Sequence, residues 1–180
     1  MKSKVLVSRC LLGHRVRYDA GASGPYPQLL EWQAQGRVIA LCPEVAGGLP
    51  TPRAAAEIPG GQGIEVLSGK VPVITTDGDD VTEAFVSGAR QALALVQKHG
   101  IRVAILKANS PSCGNRLTYD GSFSATKVAG QGVTAALLSE AGVQVFSELE
   151  LEDAAKALEQ RPAIVRAMRR FGVEPRFEFR

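Results

Sequence analysis

The sequence contains no Cys-x-x-Cys pair, no G-x-x-x-x-G-K-[ST], and no G-x-G-x-x-G after its first apolar run. These absences set aside a thioredoxin-type dithiol, a phosphate loop of the Walker kind and a dinucleotide fingerprint. Histidine is scarce. Only His14 and His99 occur, and His99 ends a helical pattern, where a cation suits the helix dipole. A Cys-His hydrolase would have to use His14. No window approaches the ~18 apolar residues of a membrane span. The N-terminal apolar run is too short for a secretory signal and has no small-residue cleavage site. Three cysteines, odd in number and far apart, do not make a disulfide framework. A cytoplasmic chain with reduced, metal-competent thiols is expected.

The 180 residues are 45% apolar and 22% charged, enough for one soluble domain with a core. The formal charge of +3 is too small to argue for nucleic acid. It is uneven, however. Residues 161–180 hold six arginines against Glu174 and Glu178, a local +4 that leaves about −1 elsewhere. A short basic tail of this kind is usually a solvated helix face; an anionic partner or a subunit contact is the alternative. Oligomeric state is not legible.

Strands are expected at 4–8, 37–42, 64–67, 71–75, 102–107 and 142–147. Several are near-continuous apolar runs, as in strands buried on both faces of a parallel sheet. Helices are expected at 27–35, 81–99, 132–141, 151–160 and 162–171. The best supported is 81–99: Val81, Phe85, Ala89, Ala92 and Val96 form one stripe, Asp80 can cap it with Glu83 three residues on, and Gly100 stops it. The alternation argues an α/β fold, a single Rossmann-like domain with a mostly parallel sheet and helices on both faces. Residues 43–69 interrupt it. With Pro43, Pro50, Pro52, Pro59 and many glycines, this stretch reads as a long structured loop inserted in the domain.

Each cysteine follows a strand pattern: Cys10 after 4–8, Cys42 after 38–41, and Cys113 after 103–106 and a short loop. Open α/β sheets bind ligands beyond the carboxyl ends of their strands. Three thiolates gathered there could hold an iron–sulfur cluster and leave one iron without a protein ligand, an open position that suits catalysis. Alternatively, each cysteine is simply a small buried hydrophobe, or the three join His14 in a tetrahedral zinc site. A weak internal echo accompanies them. Arg17-Tyr18-Asp19 and Gly21 follow Cys10, and Tyr119-Asp120-Gly121 follows Cys113. Both read as turn signals, or as two similar loops facing one site.

A longer ordered string is present: Cys10-Leu11-Leu12-Gly13, Arg17-Tyr18-Asp19, Cys42-Pro43-Glu44, Gly47-Gly48-Leu49-Pro50-Thr51-Pro52-Arg53, Ala56-Glu57, Ser110-Pro111-Ser112-Cys113-Gly114, Tyr119-Asp120-Gly121-Ser122-Phe123 and Gly132-Val133-Thr134-Ala135. Over roughly residues 4–148 it resembles the bacterial thiouracil desulfidase family, formerly a domain of unknown function. The chain departs from it at Ala20, where many members carry glycine, and at Val16, where some carry a further cysteine.

The resemblance implies a 4Fe–4S cluster held by Cys10, Cys42 and Cys113, with one open iron for the sulfur taken from a small thiolated base. It implies Glu44 and Ser110 as catalytic helpers, with Ser112 the alternative serine. It divides the chain into a desulfidase unit, 1–148, and a helical basic extension, 149–180. Around that site, Asn109, Ser110 and Ser112 orient substrate or shape a turn at Pro111. Arg53 pairs with a substrate carbonyl or with Glu57. Asp19, like Asp120, is a turn former unless it points into the cleft, and Lys107 offsets cluster charge or is solvated. Two other functions compete: a zinc protein, and a non-catalytic iron or redox sensor acting through the arginine-rich tail.

Overall fold

The first apolar run, Val5–Ser8, forms strand β1 in a computed structural model that describes residues 2–160 and 170–172. A 3₁₀ turn, Arg9–Leu12, follows, then helix α1 (Pro27–Ala34), β2 (Val38–Leu41) and α2 (Pro43–Ala46). The middle of the chain carries β3 (Ala56–Glu57), α3 (Gly63–Leu67), β4 (Ile74–Thr75) and the long helix α4 (Thr82–His99). Then come β5 (Val103–Ile105), β6 (Leu117–Tyr119), β7 (Lys127–Ala129), α5 (Val133–Glu140), β8 (Gln144–Phe146), a second 3₁₀ turn (Glu148–Glu150) and α6 (Leu151–Glu159).

The main sheet has four strands in the order β2-β1-β5-β8, and every pairing in it is parallel. All four residues of β1 are buried, as expected of a strand covered on both sides. Alternation along the strand divides them. Val5 and Val7 pack with Leu29 and Trp32 of α1 and with Ala154, Ala157 and Leu158 of α6. Leu6 packs with Ala104, with Ala92 and Val96 of α4, and with Ala135 and Leu138 of α5. A third cluster joins Phe85 and Ala89 of α4 to Ile58, Val66 and Val73. The expected stripe of α4 is therefore shared between two cores. Gly100 ends that helix in the left-handed conformation, φ 61°.

Several expectations need correction. Residues 64–67 are not a strand but lie in α3. Gln62 and Glu65 form a reciprocal capping box there, and that local bonding outweighs the apolar run. Of 71–75 only Ile74–Thr75 is a strand, and it pairs antiparallel with β3 outside the main sheet. The proline- and glycine-rich stretch is not a bare loop, because it carries α2, β3 and α3. The antiparallel hairpin β6–β7 was not anticipated. Helix α4 begins at Thr82, whose N–H is bonded by the Asp80 carboxylate at 2.9 Å; no box with Glu83 forms. The helix expected over 162–171 and the basic segment 161–180 lie outside the described residues except for 170–172. Among the described residues no helix is long and apolar enough to cross a membrane.

Glu150 ties the end of the sheet to the segment after Cys113. Its carboxylate accepts from Asn115 Nδ2 at 2.7 Å, from Arg116 Nη2 at 2.7 Å and Nε at 3.0 Å, and from the Ser147 N–H at 3.2 Å. The hydrogen bond from Arg116 holds its pKa down to about 2, with Asn115 and Ser147 adding to the effect. A carboxylate depressed in the fold stabilises it fully above the unfolded value, about 4.3, and that contribution drains away as pH falls through 2. Acid titration followed by circular dichroism should therefore show stability declining between about pH 4.5 and 2. In Glu150→Gln the neutral-pH stability should be lower and this acid dependence flatter.

Candidate functional site

From β1 the chain steps to β2 on one side, while β5 and then β8 lie on the other. The order reverses between β1 and β5, and at such a point the carboxyl ends splay apart into a crevice. A cavity of about 430 Å³ opens there, within the range of small-molecule sites.

Cys10 reaches it from the 3₁₀ turn that directly follows β1. Its carbonyl accepts N–H groups from Gly13, Ser23 and Gly24 at 3.3, 3.0 and 3.1 Å, so the turn is pinned to the chain that returns past it. Cys42 reaches it as the residue capping α2 at the end of β2. Cys113 comes from the loop after β5. There Ser110 Oγ accepts the N–H groups of Ser112 and Cys113, both at 3.1 Å. All three are free thiols and all three line the cavity.

Burial pushes the Cys10 thiol up to about 11, with Cys42 adding to the rise and Lys107 and Arg17 opposing it. Burial pushes Cys113 up as well, against a hydrogen bond from Ser8 Oγ at 3.5 Å; Cys42 and Cys10 again add to the rise. The three sulfurs thus feel one another. Among the described residues, no three His, Cys, Asp or Glu side chains meet closely enough to ligate a single ion. His14 bonds Arg9 Nη2 through Nδ1 at 3.0 Å and is not part of the cavity wall. Three free cysteine thiols on one cavity are the kind of donor set that iron–sulfur clusters take.

Glu44 sits in the first turn of α2 and lines the same cavity. Its side chain is 16% exposed and its Oε1 accepts from Arg53 Nε at 3.2 Å. Burial raises its pKa; Arg53 and the Ser110 hydroxyl oppose the rise without cancelling it. Ser110 has a defined direction. A hydroxyl offers two lone pairs and one proton. Two backbone N–H groups occupy its acceptor side, so its proton is left for Glu44.

Arg53 is not paired with Glu57, contrary to one of the two roles expected for it. Besides Glu44 it donates to Pro50 O and Thr51 Oγ1, both at 3.1 Å, and to Val16 O at 3.0 Å. Glu57 instead accepts backbone N–H groups of Gly121 and Phe123. Asn109 lines the cavity in a left-handed conformation, φ 67°, one that asparagine tolerates. Ser112 does not reach the cavity: it is fully buried and its hydroxyl is bonded to Thr134 Oγ1 at 2.8 Å. Asp19 does not line it either, but bonds the Gly21 N–H at 2.9 Å. Asp120 closes a similar turn with Ser122. In the internal echo it is the tyrosines, Tyr18 and Tyr119, that line the cavity. Lys107 also lines it, with Nζ donating to Glu148 at 2.8 Å and to Ala108 O at 3.1 Å.

Residues 5–150 match the family model described as 2-thiouracil desulfurase. The chain belongs to this family. The uncharacterized protein YbbK of Bacillus subtilis (strain 168) is 44% identical over 149 residues, which are 83% of this chain and 98% of YbbK. The solved structure of TudS, a 4Fe–4S-dependent thiouracil desulfidase, matches with a TM-score of 0.80 at 49% identity, covering 87% of this chain and 98% of TudS. The desulfurase match stops just short of α6, although α6 packs into the first core.

Two glycines whose packing role sequence reasoning overlooked seat the helix that bears Glu44. A Cβ on Gly88 of α4 would lie 2.0 Å from Pro43 O, and one on Gly47 would lie 2.0 Å from Ala84 O. Helices α2 and α4 therefore touch backbone to backbone, and Gln91 Nε2 adds a bond to Ala46 O at 2.8 Å. The signal was a glycine inside an otherwise good helix, which usually has a packing reason. Gly88→Ala should gain up to about 1 kcal/mol of helix propensity but lose about 1–3 kcal/mol to overpacking. Because the obstructing atom is backbone, the clash should win. Thermal unfolding should show a lower midpoint, and activity should fall as Glu44 is displaced.

Proposed function

We propose that the chain is a 4Fe–4S-dependent thiouracil desulfidase, converting C=S of a small thiolated pyrimidine to C=O by hydrolysis, without net oxidation or reduction. One observation carries this reading: three free thiols from three different strand ends line the same cavity as the Glu44–Arg53 pair and Ser110. TudS, the 4Fe–4S-dependent thiouracil desulfidase at 49% identity, supports it.

Cys10, Cys42 and Cys113 would hold the cluster and leave one iron open. When bound, the cluster supplies a soft Lewis acid toward thiocarbonyl sulfur, as catalytic metals do toward carbonyl oxygen. Glu44 takes a proton from the attacking water, whose oxygen bonds to the carbon as the C–S bond breaks. The carboxyl group then returns that proton to the departing sulfur, and the proton left on the new C–OH group passes to solvent as C=O forms, so one water is consumed and hydrosulfide and one proton are released. Arg53 fixes Oε1 of Glu44 and so orients the other oxygen. Ser110 donates its hydroxyl to the same carboxylate and holds the Cys113 N–H, which couples acid and ligand positions. Asn109 orients substrate from the same loop. Ser112 serves the loop's packing rather than the chemistry, and Asp19 its turn.

The parallel sheet with helices on both faces supports a single Rossmann-like domain. Residues 1–148 would be the desulfidase unit and 149–180 an extension whose first helix, α6, packs into the core. The chain would act in the cytoplasm on a free small molecule, with no role for membrane or nucleic acid.

Anaerobic reconstitution with iron and sulfide, followed by metal analysis and a hydrosulfide assay against 2-thiouracil, tests this reading. Iron with labile sulfide and substrate-dependent hydrosulfide release are expected. Zinc alone would refute it, and a cluster without hydrosulfide from any thiolated pyrimidine would favour a sensor. Glu44→Gln should keep the brown cluster and lose about 100-fold or more in kcat, the usual scale of a general base. Because burial raises the carboxyl group, the acid limb of the kcat/KM profile should lie above the ordinary glutamate range, with activity lost as pH falls through it.

A further inference from the structure

The motif Tyr119-Asp120-Gly121-Ser122-Phe123 is not absorbed by the chemistry above, yet both of its aromatic residues line the cavity. It forms the end of β6 and the tip that turns into β7. Phe123 is 38% exposed and belongs to none of the three apolar clusters. Its backbone is left-handed, φ 56°, as is that of Ala125, φ 59°. A bulky residue adopts that region only where its surroundings impose it.

Glu57 imposes it here. This carboxylate, 8% exposed, extends from β3, and its Oε1 accepts the Gly121 N–H at 2.9 Å and the Phe123 N–H at 3.3 Å. No cation pairs with it among the described residues. A second anchor lies beside it. Gly121, φ 92°, rests against the backbone of Pro59, where a Cβ would lie 2.3 Å from Pro59 Cα. The hairpin does not need these anchors for its register. The Asp120 N–H already bonds Thr126 O at 3.0 Å, and a chain of hydroxyls runs from Ser122 through Ser124 to Thr126. What Glu57 adds is the orientation of the tip toward the cavity.

We propose that this tip selects flat rings: Phe123 is the stacking face for the heterocycle, and Glu57 is the positioning residue that holds it there. The inference rests on the desulfidase reading and gives its substrate class a physical basis. An aromatic pyrimidine stacks on a phenyl ring; a puckered ring, saturated at C5 and C6, does so poorly. Stacking of a base on an aromatic side chain is a term large enough to set affinity.

The test uses the reconstituted holoenzyme with 2-thiouracil and 5,6-dihydro-2-thiouracil. Binding is followed by anaerobic equilibrium dialysis, turnover by hydrosulfide release and cluster content by absorption. Wild type should prefer the flat ring. Phe123→Leu should keep its cluster, raise KM for 2-thiouracil about ten-fold with a smaller effect on kcat, and narrow the preference over the dihydro compound. Glu57→Ala should reproduce that pattern without touching the ring. Glu57→Gln, which keeps an acceptor oxygen for the two N–H groups, should restore most of the affinity. If Phe123→Leu and Glu57→Ala retain wild-type KM and the same preference while wild type releases hydrosulfide, ring selection by the tip is wrong and the desulfidase reading stands. If wild type neither binds nor desulfurises 2-thiouracil, both fall together.

Discussion

Strand β1 is paired in parallel on both edges, and that single constraint decides where everything else can go. A parallel neighbour on each side obliges the chain to cross over the sheet and leave every strand at the same end. One crossover goes to β2 and the other connections go to β5 and β8. The carboxyl ends of β1 and β5 are thus left with nothing bridging them. Cysteines placed just after three of these strands meet at the gap without needing any proximity in sequence. The fold gathers the thiols; the loops only set their final angles.

Two kinds of contact set those angles, and neither is a large apolar burial. One is backbone against backbone, through the glycines that let α2 lie on α4. The other is a short polar circuit running from Arg53 to Glu44 to Ser110 and on to the Cys113 N–H. A buried ion pair of this sort is weak evidence for stability, since desolvation offsets much of its attraction. Its value lies in direction. Here desolvation prevails at Glu44, so the carboxyl group is driven toward its neutral form while still held by a guanidinium.

The main sheet and four of its helices were legible because their signals are periodic and local. The Val81–Val96 stripe, the left-handed glycine after it, and the apolar runs of β1, β2, β5 and β8 each carried enough pattern to be read. The three cysteines were legible as a set only because each trails a strand. What failed was the stretch between Pro43 and Thr75. There the elements are two to five residues long and are specified by distant partners, such as Gln131 O at the start of α3. Apolar residues at 64–67 carry no period that separates helix from strand at that length. One of the two roles expected of Arg53, the pairing with Glu57, failed for the same reason. Sequence proximity favoured Glu57, but β3 turns Glu57 toward the hairpin while the prolines before Arg53 turn it back toward α2. Ser110 and Ser112 lie two residues apart in sequence, yet Ser110 lines the cavity and Ser112 is buried against Thr134.

The guanidinium of Arg53 acts as a rivet through three stretches of chain: the loop at Val16, the turn at Pro50 and Thr51, and the helix bearing Glu44. Pro50, Thr51 and Val16 take the two terminal nitrogens of the guanidinium, so Nε is the atom that reaches Glu44. The carboxyl group therefore shares its counter-charge with a loop and a turn outside its own helix. A shift in any one of these stretches would be felt at the others through a single side chain.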